Sequence, residues 1–399
     1  MSLSNTPSSQ RIHIGFFGLR NAGKSSVVNA VTNQQLSLVS DVLGTTTDPV
    51  KKAMELLPLG PVVIIDTPGL DDEGELGEMR VKRAKETLAI TDIAILVIDA
   101  TKGKSKLDEE LLSTFKERKL PHIVVYNKTD LLNEKSTLKD NEIYVSAKNG
   151  DNINELKELI AKLSKNSKTE KPLVSDLIDK NDIVVLVIPI DEAAPKGRLI
   201  LPQQMVIRDI LDHHGSCICT QVSELQNTLN SLSRKPKLII TDSQAFGSVA
   251  KITPSDITLT SFSILMARYK GDLRALINGA STLSKIKDGD KILIAEGCTH
   301  HRQCNDIGTV KMPKWIEDFT NAKPQYTFTS GGTFPDDLSE FKLIIHCGGC
   351  MLNEKEMKSR MEKAGAQSVP ILNYGVAIAH MHGILKRSLA PFPDILKLL

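Results

Sequence analysis

The sequence predicts an α/β chain of three domains, and three observations predict it. Apolar runs of strand length recur along the 399 residues and alternate with helical patterns, as expected of sheets flanked by helices. The first run, RIHIGFFG at residues 11–18, leads straight into a glycine-rich loop and then a helical pattern. In the second half, Cys298, Cys347 and Cys350 fall just past the carboxyl ends of apolar runs, where open α/β sheets bind ligands. A chain of this length can bury more than one core. The expected divisions are residues 1–165, 172–255 and 256–399, with the polar segment SKNSKTEK at 164–171 as the first linker.

Composition narrows the partners. Lys and Arg number 50 and Asp and Glu 48, a net charge of +2, so nothing draws the chain generally to nucleic acid. Aromatic residues make up only 4%, which leaves no stacking platform for RNA. The first ten residues are polar, and no apolar run approaches the roughly 20 residues that cross a bilayer, so a cytoplasmic protein without a membrane span is expected. The six cysteines, at 217, 219, 298, 304, 347 and 350, all lie in the second half, which favours metal binding or burial over a disulfide framework.

Gly18-Leu19-Arg20-Asn21-Ala22-Gly23-Lys24-Ser25 has the spacing of a P-loop in its strand–loop–helix context. Its backbone N–H groups can wrap a β-phosphate at a helix N-terminus, Lys24 can reach the β- and γ-oxygens, and the Ser25 hydroxyl can bind Mg²⁺. The strand Val62-Val63-Ile64-Ile65 ends in Asp66-Thr67-Pro68-Gly69, where Asp66 can hold the magnesium shell and the Gly69 N–H can meet the γ-phosphate. A further core strand is expected at Ile93 to Ile98. After Ile123-Val124-Val125-Tyr126 come Asn127-Lys128-Thr129-Asp130 and later Ser146-Ala147-Lys148. The Asp130 carboxylate can accept two hydrogen bonds from guanine N1–H and its 2-amino group, which adenine cannot supply. The expected ligands are therefore GTP or GDP with Mg²⁺.

These motifs, in this order, resemble the TrmE-Era type of small GTPase. The resemblance implies that Asn21, with the Thr-rich first switch Gly44-Thr45-Thr46-Thr47-Asp48, accompanies a K⁺ ion that takes the place of an arginine finger. Leu70 stands where Ras-type switches carry a water-orienting Gln, and the TrmE pattern implies Glu78 as the residue that assists hydrolysis. The expected catalytic residues are Lys24, Asp66, Gly69 and Glu78. The expected nucleotide contacts are Gly18, Asn21, Ala22, Gly23, Lys24, Ser25, Ser26, Thr45, Thr46, Asn127, Lys128, Asp130, Ser146, Ala147 and Lys148, with Ser25, Thr46 and Asp66 around the metal ion.

Beyond the linker, Asp182 to Ile190 holds the run IVVLVIPI, long enough for a strand buried on both faces. A helix is expected from Pro202 to Leu211, with further strands at Ser216–Thr220 and Lys237–Thr241. Long apolar strands with few clustered ionisable groups suggest a structural, dimerising role. Cys217 and Cys219 should share one strand face as buried packing residues. Asp191 and Glu192 open a charged loop that follows the strongest strand.

In the last part, Lys291-Ile292-Leu293-Ile294-Ala295 precedes Cys298-Thr299-His300-His301, and Lys342-Leu343-Ile344-Ile345 precedes His346-Cys347-Gly348-Gly349-Cys350; Pro370-Ile371-Leu372-Asn373 makes a third strand. A Cys-x-x-Cys alone can hold zinc, hold an iron-sulfur cluster or act as a redox dithiol. The redox reading leaves Cys298 unexplained. Three converging thiolates leave a fourth coordination position open to His300, His301, His346, Cys304, or a carboxylate such as Asp191 or Glu192, and an open position suits a cluster better than a closed zinc site.

The combination of Cys298-x-His300 with His346-Cys347-x-x-Cys350 behind a TrmE-like GTPase domain resembles the HydF family of FeFe-hydrogenase maturation GTPases. That resemblance spans essentially the whole chain. It implies a P-loop GTPase sheet, a small α/β dimerisation domain and an α/β metal-cluster domain, with a 4Fe4S cluster on Cys298, Cys347 and Cys350. It further implies a homodimeric scaffold that takes a two-iron precursor from radical-SAM maturases and passes it to apo FeFe-hydrogenase. The competing reading is an RNA-associated GTPase with a structural zinc domain.

Overall fold

The computed structural model describes residues 6–34, 49–69, 84, 86–134, 137–167, 171–190, 199–297, 307–349 and 352–399. The chain divides into two compact units, Met1–Glu170 and Lys171–Leu399.

The first unit is a six-stranded sheet in the order β2–β3–β1–β4–β5–β6. Its strands are β1 (Ile12–Phe17), β2 (Val50–Leu56), β3 (Gly60–Asp66), β4 (Ile93–Asp99), β5 (His122–Asn127) and β6 (Glu142–Tyr144). All pair in parallel except β2, which runs antiparallel to β3 at the edge. β1 and β4 are buried along their whole length, as continuous apolar strands covered on both faces should be. On one face, Ile14, Phe16 and Ile95 pack with Val27, Val28 and Val31 of helix α1 (Lys24–Thr32) and Leu156 and Ile160 of a later helix; on the other, Phe17 and Leu96 pack with Phe115 of helix α2 (Lys106–Glu117). A reciprocal cap between Ser105 and Asp108 starts α2. Because β1, β3, β4 and β5 are parallel, Gly18, Asp66, Asp99 and Asn127 all come to the same sheet edge, where ligands bind in this topology. Helix α3 (Ile153–Ser167) runs through the first four residues of the segment expected as linker.

The second unit contains two four-stranded, all-parallel sheets. The first has the order β10–β9–β7–β8, from β7 (Ile183–Val187), β8 (Ser216–Thr220), β9 (Leu238–Thr241) and β10 (Thr258–Ser261). The second has the order β12–β11–β13–β14, from β11 (Lys291–Ala295), β12 (Gln325–Thr329), β13 (Leu343–His346) and β14 (Ile371–Asn373). Helices α4 (Leu201–Asp212), α5 (Leu225–Ser231), α6 (Phe246–Ile252), α7 (Phe262–Lys270), α8 (Leu273–Leu283), α9 (Met312–Thr320), α10 (Glu354–Ala366) and α11 (Tyr374–Met381) connect and cover them. One continuous core joins both sheets, with Val184, Leu186 and Ile240 from one, Ile294, Ile344 and Leu372 from the other, and Leu265 and Ile277 of α7 and α8 between.

Several expectations meet their residues closely. β8 occupies Ser216–Thr220 as read, α4 carries Pro202 in its first turn, and β7 stops at Val187 short of Pro189, which has no N–H for the ladder. Two details differ. β10 lies past the expected division at 255/256 yet hydrogen-bonds into the first sheet of this unit, since its register with β9 runs from Thr258 opposite Leu238 to Ser261 opposite Thr241. The expected burial of Cys217 and Cys219 does not hold: Cys217 is half-buried and Cys219 exposed, because β8 is an edge strand with β7 on one side alone.

Candidate functional site: a nucleotide cradle and a thiol loop

The end of β1 turns sharply into the glycine-rich loop. A side chain at Gly18, whose φ is +140°, would meet the Val97 carbonyl oxygen at 2.2 Å, so the loop passes directly over β4. Gly23 adopts left-handed geometry at the N-cap of α1, and a Cβ there would fall 2.3 Å from the Asn127 amide nitrogen. Asn21, at φ +60°, and Ala22, which is buried, complete the turn, and Ser25 and Ser26 stand half-buried in the first turn of α1. The result is a ring of backbone around a helix N-terminus, the arrangement that holds phosphate.

Side chains close the ring. Lys24 is buried, and its Nζ donates to the carbonyls of Gly18 (3.1 Å) and Leu19 (2.9 Å), so the ammonium lies folded over the loop. The Ser25 hydroxyl donates to Asp66 Oδ2 at 3.0 Å, while the buried Asp66 Oδ1 has no hydrogen-bond partner among the described residues. A buried, unsatisfied carboxylate oxygen beside a hydroxyl is a donor set that suits Mg²⁺. Thr67 donates through both its N–H (3.2 Å) and its hydroxyl (2.6 Å) to the Phe16 carbonyl, tying the Asp-x-x-Gly segment to β1. A Cβ on Gly69 would lie 2.9 Å from the Arg20 Cα, so glycine is required where this segment touches the P-loop.

The base side is equally tied together. The Asn127 amide donates to the Ala22 carbonyl (3.2 Å) and accepts from the Ala147 N–H (3.1 Å), bridging the phosphate loop and the Ser146-Ala147-Lys148 turn. Asp130 is exposed, and its Oδ1 accepts from the Ser146 hydroxyl at 2.7 Å. Lys148, two residues after Ser146, is exposed. Lys128 sits at φ +68° and donates to Asp99 Oδ2 at 2.6 Å. Burial alone would push the Asp99 carboxyl up, but the hydrogen bonds from Lys128 and Thr101 outweigh it and hold the group below its ordinary value. Asp99 and Thr101 are not among the residues the sequence singles out, although Asp99 directly follows the expected strand Ile93–Ile98 and its position offers that signal. Thr45, Thr46 and Glu78 lie outside the described residues.

At the carboxyl end of β11 and β13 a second arrangement appears. The register pairs Ala295 with His346, and the Cys347 N–H donates to the Ala295 carbonyl at 2.9 Å. The Cys347 Sγ, half-buried, accepts the N–H of Gly297 at 3.0 Å and that of Gly349 at 3.4 Å. N–H donors aimed at sulfur favour the thiolate, the form that binds metal. Gly349 has φ +59°, and a Cβ there would strike Met357 Sδ at 2.6 Å. His346 is fully buried. Arg360, which can only donate, approaches its Nε2 at 3.0 Å, so Nε2 accepts and Nδ1 carries the proton toward the Cys347 carbonyl at 2.8 Å. Both ring nitrogens are thus engaged. Arg360 also donates to the Gly331 carbonyl (2.7 Å) and to Glu356 (2.8 Å). Cys298, Cys350, His300, His301, Cys304, Asp191 and Glu192 lie outside the described residues. The donor chemistry at Cys347 fits a metal-bound thiolate, and Cys298 follows Gly297 and Cys350 follows Gly349 in the chain.

Comparison with known proteins matches three stretches of the chain. The family model described as "Hydrogen maturase F dimerization domain" matches residues 173–271, and "Hydrogen maturase F tetramerization domain" matches 274–391. The chain belongs to the hydrogen maturase F family. Within the chain, residues 13–128 match the model described as "50S ribosome-binding GTPase" and form a P-loop GTPase domain. GTPase Der of Mycoplasmopsis pulmonis is 30% identical over 200 residues, 45% of this chain and 46% of that protein. The tRNA modification GTPase MnmE of Legionella pneumophila is 36% identical over 146 residues, 36% of this chain and 32% of that protein. The chain spans less than half the length of these curated relatives. Among solved structures, Aquifex aeolicus Era bound to GDP and aluminium fluoride is 21% identical, covering 52% of this chain and 92% of its own, with a TM-score of 0.35. The dimerization match includes β10 and ends at residue 271, beyond α7. No helix among the described residues is long and apolar enough to cross a membrane.

Proposed function

We propose that this protein hydrolyses GTP and serves as a scaffold in FeFe-hydrogenase maturation, taking a two-iron precursor from radical-SAM maturases and delivering it to apo-hydrogenase. In this reading Cys298, Cys347 and Cys350 hold a 4Fe4S cluster, and the fourth position falls to His300, His301, Cys304 or a carboxylate such as Asp191 or Glu192. The observation that carries the cluster reading is the pair of N–H donors from Gly297 and Gly349 on the Cys347 sulfur. Such donors stabilise a thiolate that spends its negative charge on iron. When bound, the cluster supplies an iron site for the attachment or exchange of a ligand. The chain's own residues shape that site and keep the thiolates together.

Anaerobic purification followed by iron, sulfide and zinc analysis tests this. About four irons with matching sulfide per chain supports it. Stoichiometric zinc without sulfide rejects it and favours the zinc-domain alternative. Cys298→Ser, Cys347→Ser and Cys350→Ser are each expected to lose the iron.

For the nucleotide, Lys24 would exchange the Gly18 and Leu19 carbonyls for phosphate oxygens, Ser25, Asp66 and Thr46 would hold Mg²⁺, and the Gly69 N–H would meet the γ-phosphate. Asn21, in its left-handed turn, would help to hold K⁺ against the developing charge, and Glu78 would assist the attacking water. GTP turnover should be faster in potassium than in sodium; equal rates would remove K⁺ from the mechanism. GTP state would bias partner association through the switch segments. The protein would act as a homodimer, the dimerization match being the support, in the cytoplasm, where thiols such as Cys217 and Cys219 stay reduced.

A further inference from the structure

Lys270, the last residue of α7, is only 3% exposed. A lysine at a helix C-terminus ordinarily bonds the carbonyls of its own last turn or reaches water. Here the Nζ instead donates to the carbonyls of Gly349 (3.0 Å) and Leu352 (2.9 Å), 79 and 82 residues away. Both belong to the loop between β13 and α10, the loop that carries Cys347 and Cys350. The Gly349 carbonyl also accepts the Leu352 N–H at 3.1 Å, so a turn and an ammonium close on the same oxygen.

This loop is the one that meets β11. Leu352 packs so tightly beside Gly297 that a Cβ on that glycine would lie 2.6 Å from the Leu352 Cγ, and Cys347 takes the Gly297 N–H. Taking an ammonium out of water is costly, and an apolar side chain of similar length would fill the same volume without that cost. A cation bound to the backbone of the loop that carries Cys347 offsets the negative charge that deprotonated sulfur brings there, and its bonds to the Gly349 and Leu352 carbonyls set the loop's shape.

We infer that Lys270 is the positioning residue of the loop that follows β13: its ammonium clasps the Gly349 and Leu352 carbonyls, and so sets how the loop presents the Cys347 sulfur to metal. The inference rests on the reading of these thiols as a metal site, and its test separates the two. Lys270→Met and Lys270→Arg are made in the full chain, Arg restoring both the charge and the donors. In metal-free protein, amide hydrogen exchange over residues 347–352 should quicken about tenfold in Lys270→Met and return to near wild type in Lys270→Arg. Unchanged exchange in Lys270→Met overturns the clasp, whatever the metal does. Titration with Co²⁺, followed by its sulfur-to-metal charge-transfer band, should show affinity falling about tenfold or more in Lys270→Met and recovering in Lys270→Arg. A loosened loop with unchanged Co²⁺ affinity overturns the positioning role. In iron-loaded protein, loss of the nearby positive charge should shift the midpoint potential to a more negative value, again reversed by Arg. A wild-type chain that gives no sulfur charge-transfer band and takes up no iron rejects the metal reading instead, and exchange alone then decides whether Lys270 holds the loop. Should Lys270→Met fail to fold, Lys270→Arg decides: exchange and Co²⁺ affinity at wild-type levels support the clasp, and their loss with the fold intact overturns it.

Discussion

Lys24 donates hydrogen bonds to the Gly18 and Leu19 carbonyls of its own loop, and a phosphate must displace these to be held. Lys24→Ala should therefore cut GTP turnover about a hundredfold or more, because a cation aimed at transferring phosphate acts mainly on the transition state. Steady-state hydrolysis measures this, and iron content should stay unchanged. At the base, Ser146 occupies Asp130 Oδ1 and leaves the rest of the carboxylate for the ligand. Asp130→Asn puts an amide where two acceptors are needed. GTP affinity should drop about a hundredfold, with xanthosine triphosphate improved in direct titration. His346 makes the opposite case: both its nitrogens are engaged, by Arg360 and by the Cys347 carbonyl. His346→Gln can still accept from Arg360, and iron loading should survive it.

At the scale of an element, the β1–α1 junction depends on backbone that only glycine permits. Gly18→Ala forces a methyl to within 2.2 Å of the Val97 carbonyl and should abolish nucleotide binding through a displaced loop, which calorimetric titration with GDP would register. The β4 end is held differently, by the Asp99–Lys128 pair at 2.6 Å. Asp99 is depressed below its ordinary value of 3.8, so its contribution is fully present above that pH and disappears as pH falls through the lowered value. Chemical denaturation across that acid range should show the wild type losing this part of its stability, and Asp99→Asn should flatten the dependence.

The whole molecule consists of two compact units, each with its own buried core. Damage to one site should consequently leave the other folded. The three cysteine variants are expected to keep basal GTP turnover, assayed without partner proteins. Within the second unit the situation is reversed. The two sheets share one core, and Lys270, at the end of the dimerization match, reaches into the loop of the tetramerization match. Perturbing one sheet there should be felt in the other.

What the sequence determined by itself is whatever depends on short, contiguous chemistry. The spacing from Gly18 to Ser25, the pair Asp66 and Gly69, the run Asn127 to Asp130 and the strand-ending cysteine at 347 are local patterns, and each sits in the local structure it predicted. Polar edge strands such as β2 and β12 were not legible, because a half-exposed strand lacks the continuous apolar run that marks a buried one. Nor were pairings across distance. That β10 joins β9, that β8 leaves Cys219 open to solvent, that Asp99 receives Lys128, and that Arg360 occupies His346 all follow from how parallel strands and their helices pack, where burial and hydrogen-bond satisfaction choose the neighbour. Lys270 is the furthest such case: nothing in the residues around it announces a ligand, and only packing places its charge under the thiol loop, 79 positions away.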